Sequence, residues 1–295
     1  CYCMLKERIR ELAGGLLEEA VASRRHLHTY PELSYREYQT AAFVEEKLRG
    51  LGIPFERMAG TGVVALLEGS AAPSGKVVAL RADIDALPIT EGNQAPYRSQ
   101  HEGVMHACGH DVHTASLLGV AGILSRMKHE FSGTVKFIFQ PAEEVIPGGA
   151  SLLIKAGVLE NPRPQHILGQ HVMPELPVGK VGFRAGHYMA SNDEISITVK
   201  GKGGHGAMPH LGVDPVLIAC HMVVALQQIV SRRANPLSPS VLSFGKMIAN
   251  GASNVIPDEV KLLGTFRSLD ESWRQAAREK IIKMAVSIAE SMEGS

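Results

Sequence analysis

Cysteine is scarce. Four residues, at positions 1, 3, 108 and 220 of a 295-residue chain, are too few and too scattered for a disulfide framework. Charge of one sign is lacking as well: 30 Lys plus Arg balance 30 Asp plus Glu, so the basic excess that marks a nucleic-acid binder is absent. No uninterrupted apolar run of ~18 residues occurs, and no membrane span is expected. The first residues do not read as a signal peptide, because Met4-Leu5-Lys6-Glu7-Arg8 opens a charged, amphipathic segment. Cytoplasm is therefore the expected compartment. Cys1 and Cys3 precede Met4, which reads as the more natural start. HExxH, Walker A and Rossmann glycine fingerprints are all missing, as are internal repeats and low-complexity tracts.

What is present has the balance of an ordinary globular protein, 45% apolar and 20% charged, with length enough for two modest domains. Residues 5–29 and 35–49 read as helices, with Ser34 and Glu37 as a capping box for the second. Strands are expected at 62–68, 76–81, 134–140 and 166–172, and helices at 112–128 and 151–156. Strands alternating with helices predict an α/β domain on a mainly parallel sheet. Near Gly186 the pattern changes. A half-exposed strand at 194–200 precedes a helix capped by Asp214-Pro215 that runs to about Ala234. Two strands near 240–248 and 258–268 then form a hairpin pair, and a last helix spans 271–292. That order is a split βαβ, ferredoxin-like α+β pattern short of its final strand. The expected domains are 4–186 and 187–295.

Chemistry-bearing residues recur at one structural place. Asp83 and Asp85 follow the strand 76–81, Glu143 and Glu144 follow 134–140, and His171 ends 166–172. In a parallel sheet such strand ends share one rim, where ligand sites form. Cys108 and His110 lie in a loop entering the helix at 112, and on an extended loop they can point the same way. Thiolate, imidazole and carboxylates suit zinc or a similar divalent ion. Two such ions ~3.5–4 Å apart can hold a hydroxide and polarise a carbonyl together. Adjacent Glu143 and Glu144 can then divide the work, one ligating and one taking a proton. His28, His101, His113, His129, His187 and His210 are read as structural or surface residues.

Arg24-Arg25-His26-Leu27-His28, Pro31-Glu32-Leu33, Ala82-Asp83-Ile84-Asp85-Ala86-Leu87-Pro88-Ile89, His106-Ala107-Cys108-Gly109-His110-Asp111, Pro141-Ala142-Glu143-Glu144 and Gly203-Gly204-His205-Gly206-Ala207-Met208-Pro209-His210 carry a resemblance. Taken in order, they resemble the aminoacylase-type metal-dependent amidohydrolases. That group includes hippurate hydrolases, bacterial N-acyl-amino-acid hydrolases and plant indole-3-acetyl-amino-acid hydrolases. The resemblance implies a di-metal catalytic domain with an inserted lid and dimerisation domain, acting as a homodimer on small N-acyl amino acids. It implies Cys108, His110, Glu144 and His171 as ligands of two divalent ions (Zn, Mn, Co or Ni), Glu143 as general base, and Asp85 as the residue that orients the metal site. It also implies that His205 stabilises the oxyanion, with Asn254 and Arg267 as further substrate contacts. A return of the chain to the first domain with a fifth, C-terminal histidine ligand is part of the same pattern, and no histidine follows His221; a C-terminally truncated chain with fewer than two tightly held metals and much slower turnover is the corresponding expectation. The alternatives are a dipeptidase or carboxypeptidase on this scaffold, and a non-catalytic dimerising protein.

Overall fold

The structure, a computed structural model, describes residues 2–71 and 74–295. Cys1 and part of the turn expected at 70–75 lie outside these residues. The chain forms two compact units, Cys1–Val178 and Gly179–Ser295, so the division falls earlier than the expected 186.

In the first unit, helices α1 (Tyr2–Thr29) and α2 (Tyr38–Gly50) precede strands β1 (Phe55–Met58), β2 (Gly62–Glu68) and β3 (Val77–Asp83). Helix α3 (His110–Arg126), β4 (Thr134–Gln140), α4 (Gly149–Lys155) and β5 (His166–Gly169) follow. The sheet order is β1-β2-β4-β3-β5. β3 runs parallel to β4 and β5, while β1–β2 and β2–β4 are antiparallel. The sheet is mixed, which corrects the mainly parallel expectation. Only β3, β4 and β5 are linked by helix-bearing crossovers that return the chain in the same direction; β1 and β2 are joined by a tight turn at positive-φ Ala59 and Gly60, which reverses it.

Alternation along the strands feeds two apolar layers. Val63, Ala65, Phe137 and Phe139 face α2 and α3 through Val44, Leu48, Leu117 and Leu118. Val64, Ala79 and Ile138 face the other way, onto Leu153 and Val158. Parallel pairing aligns Asp83 with Gln140, so β3 and β4 end level. The chain segments leaving them, carrying Asp85 and Glu143–Glu144, start from one sheet edge.

Two local expectations fail here. Ser34 and Glu37 form no capping box: Glu37 is the N-cap of α2 yet makes no side-chain cap bond. Glu32 Oε2 serves that turn instead, accepting from Thr40 N at 2.8 Å and Thr40 Oγ1 at 2.9 Å. Ser34 and Glu37 are taken by tertiary partners, described below. The second failure concerns His110, which is the first residue of α3 rather than part of an extended loop.

The second unit is an antiparallel sheet, β6-β10-β8, of β6 (Asp193–Lys200), β8 (Ser240–Ala249) and β10 (Glu259–Ser268). Helices α5 (Pro215–Leu226) and α6 (Glu271–Ser291) join it through a shared core of Val199, Ile218, Met222, Leu262, Phe266 and Ile281. Asp214 caps α5, accepting from Val216 N at 2.8 Å, and Asp270 caps α6, accepting from Trp273 N at 3.0 Å. Pro215–Arg233 is apolar enough and, at 19 residues, long enough to cross a membrane. Its Ile218, Ala219, Met222, Leu226 and Ile229 instead lie in this core. A separate two-stranded ladder, β7 (Gly204–His205) with β9 (Val255–Ile256), completes the unit.

Candidate metal centre

His110 is the hub of the first unit's polar cluster. It is 1% exposed, and its ring is aimed by Asp85: Nδ1 donates to the Asp85 carbonyl at 2.9 Å and lies 3.2 Å from Asp85 Oδ1. That bond leaves the lone pair on Nε2. Asp85 is held in turn by Ser34 Oγ, which donates to Oδ2 at 2.6 Å, and by the Glu144 main-chain N–H at 3.0 Å.

Around His110 Nε2 stand three sets of donors. Cys108, His110 and His171 bring donor atoms within 4.8 Å of one another, as do His110, Glu143 and Glu144, and also Asp83, His110 and His113. Cys108 Sγ is 3.3 Å from His171 Nε2. The His171 ring gives its Nδ1–H to the Val172 carbonyl at 2.7 Å, which frees Nε2 as a lone pair facing the thiol. His171 lies beyond the end of β5, not within the end of a strand 166–172 as the sequence suggested. Asp83 is the last residue of β3 rather than a residue following it.

The electrostatics are those of a site short of positive charge. His110 Nε2 and Glu144 Oε1 are both buried without a hydrogen-bond partner and 3.8 Å apart. Burial, then the neighbouring Glu144 and Glu143 carboxylates, push the Cys108 thiol up to about 12. Burial and the charge of Glu143 likewise raise Glu144. Burial works against the charged form of Asp83, but the His113 hydrogen bond and the Arg81 guanidinium outweigh it and hold the carboxyl at about 2. A divalent cation would pair the orphaned nitrogen and oxygen and draw the thiol down, so the residues present fit one. A mixed sheet that gathers thiol, imidazole and carboxylate donors at one edge defines an α/β protein with the donor chemistry of a borderline-metal centre.

Comparison with known proteins takes this further. Residues 79–291 match the model of peptidase family M20/M25/M40, and the chain belongs to that family. It is 45% identical over 284 residues to the N-acyl-L-amino acid amidohydrolase of Geobacillus stearothermophilus, covering 95% of this chain and 76% of that one. It is 42% identical over 287 residues to thermostable carboxypeptidase 1 of Saccharolobus solfataricus, covering 96% and 71%. Among solved structures it resembles the YXEP protein of Bacillus subtilis, described as a dinuclear metal-binding peptidase of the M20 family. The TM-score is 0.77 at 37% identity, covering 96% of this chain and 72% of that one.

His205 lies on β7 opposite Val255, and Gly206 N–H donates to the Asn254 carbonyl at 2.7 Å, so the ladder brings His205 and Asn254 together. The Ala207 N–H donates to His205 Nδ1 at 3.1 Å, which places the ring proton on Nε2. Arg267 is exposed on β10, opposite Val241, in the other sheet.

The sequence assigns His113 and His28 to structural or surface positions, with no role at the site. Both are buried. His113 lies one turn beyond His110 on the same face of α3, a spacing that could have flagged it. His28 Nδ1 bonds Asp111 Oδ2 at 2.7 Å and Nε2 bonds Glu91 Oε1 at 2.9 Å; nothing local in the sequence announces those partners.

Proposed function

We propose that this protein hydrolyses the amide bond of N-acyl amino acids in a metal-dependent reaction, releasing an acid and a free amino acid. The observation that carries the reading is the buried, unpaired Nε2 of His110 among Cys108, Glu144 and His171, in a chain closely similar to an N-acyl-amino-acid amidohydrolase. Cys108, His110, Glu144 and His171 would hold divalent ions of the Zn, Mn, Co or Ni class. The dinuclear description of the structural neighbour supports two of them. Bound there, such ions polarise the scissile carbonyl and lower the pKa of water. Asp85 fixes the His110 ring in the tautomer that offers Nε2. Glu143, exposed beside Glu144, takes the proton of the attacking water and returns it to the leaving nitrogen. His205 offers Nε2–H as a donor for a developing oxyanion, and Asn254 and Arg267 contact the substrate carboxylate. The second unit serves as an inserted lid that also pairs two copies of the chain.

The similarity to a carboxypeptidase favours a second reading on the same residues, cleavage of a peptide bond next to a free C-terminus. Rates on N-acetyl amino acids, N-benzoyl amino acids and dipeptides separate the two. The carboxylate roles are tested by paired variants. Glu143→Gln is expected to retain metal and lose turnover by ~10²–10⁴-fold, whereas Glu144→Gln loses metal. The opposite pattern would reverse the assignments.

A further inference from the structure

His113 is not among the proposed ligands Cys108, His110, Glu144 and His171, yet it is as buried as His110, 1% exposed. Both its ring nitrogens are engaged. The Val172 main-chain N–H donates to Nε2 at 2.9 Å, which requires a lone pair there. The proton is therefore on Nδ1, which donates to Asp83 Oδ1 at 2.6 Å. Asp83 is held from behind: Oδ2 accepts from Arg81 Nη1 at 2.7 Å, and its carbonyl accepts from Thr114 Oγ1 at 2.9 Å. A ring so occupied has no lone pair left for an ion, although its nitrogen is grouped with Asp83 and His110 within 4.8 Å.

The bonds that His113 makes are directed at the segment beyond β5. The strand ends at Gly169, and its ladder to β3 ends there too, so His171 and Val172 need another anchor. Val172 has two. Its N–H is on His113, and its side chain lies where a Cβ at Gly109 would be, Cγ2 2.3 Å from that position. The His171 ring then stands edge-on to His113, with centroids 4.6 Å apart, and is tied through Nδ1 to the Val172 carbonyl.

We propose that His113, backed by Asp83, is a positioning residue that fastens the Val172 peptide to α3 and so sets the His171 ring against Cys108. The proposal rests on the reading of His171 as a metal ligand. It accounts for a buried histidine that touches the donor cluster without offering it a nitrogen.

Three substitutions separate the two bonds. The amide of Gln reaches the position of Nε2 and can accept from Val172, the amide of Asn reaches only that of Nδ1 and Asp83, and Phe keeps ring volume without either bond. Apo-protein is titrated with Co²⁺, following the thiolate-to-cobalt absorption, with stoichiometry at saturation and melting of the apo-protein measured beside it. His113→Asn and His113→Phe are expected to weaken Co²⁺ binding ~10–100-fold and His113→Gln by no more than about threefold. The number of ions bound at saturation should stay that of the parent. A purely structural role would lower apo-protein melting and leave the affinity unchanged, and that result overturns the proposal. Loss of one bound ion in all three variants would make His113 a ligand and overturn it equally, as would a Gln variant no better than Asn. If His113→Phe does not fold, the Asn and Gln pair decides. His171→Ala is the control. Unchanged affinity in it refutes the ligand reading and the proposal together, whereas weak binding there beside intact binding in the His113 variants refutes the proposal alone.

Discussion

Glu37 is a fully buried carboxyl that burial pushes above its ordinary range, against hydrogen bonds from Thr61 and Ala142. Thr61 Oγ1 donates to it at 2.6 Å and the Ala142 N–H at 2.7 Å. Ala142 has a φ of +46°, a strained value for a residue with a Cβ, and Glu143–Glu144 follow directly. Because the folded state holds the Glu37 proton more tightly than the unfolded chain, its contribution to stability is full below the usual carboxylate range. It is lost as pH rises through the raised value. Glu37→Gln keeps an acceptor for Ala142 and has no charge to bury. Its melting temperature should therefore fall less than the parent's from about pH 5 to about pH 8. Glu37→Ala should be less stable by about 1–3 kcal/mol at every pH, since it strands a buried N–H. Equal pH slopes in parent and Gln variant would show that Glu37 stays ionised throughout. The sequence paired Ser34 with Glu37 as a capping box, but their partners lie 51 residues away at Asp85 and 105 away at Ala142. A buried acceptor that meets a donor across the fold outcompetes an exposed helix end, which water can satisfy.

At the scale of elements, the start of α3 carries the most consequence. Gly109 precedes it with a φ of +86°, which glycine adopts freely and alanine only at a cost of ~1–2 kcal/mol. The same glycine leaves the space that Val172 fills. Gly109→Ala should therefore lower both melting temperature and metal affinity. Adding Val172→Ala should restore part of the affinity while the backbone strain persists, a coupling that a double-mutant cycle reads directly. Strict additivity would show that the contact is incidental. Elements with strong periodicity were legible from the residues: β2 and β4 coincide with the expected 62–68 and 134–140. Short elements were not. β1, β7 and β9 have four, two and two residues, too few for a period to register, so the ladder that carries His205 left no sign in the sequence.

For the molecule as a whole, the proposed ligands all belong to the first unit, and metal binding should stabilise that unit by mass action. The gain is ~2.7 kcal/mol at a hundredfold excess over Kd. Amide exchange in β3, β4 and α3 should slow on adding metal to the apo-protein, while β8 and β10 exchange unchanged. Equal slowing in both units would contradict the confinement of the centre to the first. From its residues alone the chain disclosed two domains' worth of pattern, the segments bearing Cys108, His110, Glu143, Glu144 and His171, and the family those segments resemble. These features are local: periodicity, spacing and side-chain chemistry act within a few residues. The tertiary structure decided the mixed direction of the sheet, the rings' tautomers, the shift of Cys108 to about 12, and the choice of His113 over other histidines to hold Val172. Each of these is set by which group lies across the fold and how much water it excludes, and neighbours in sequence carry no record of that.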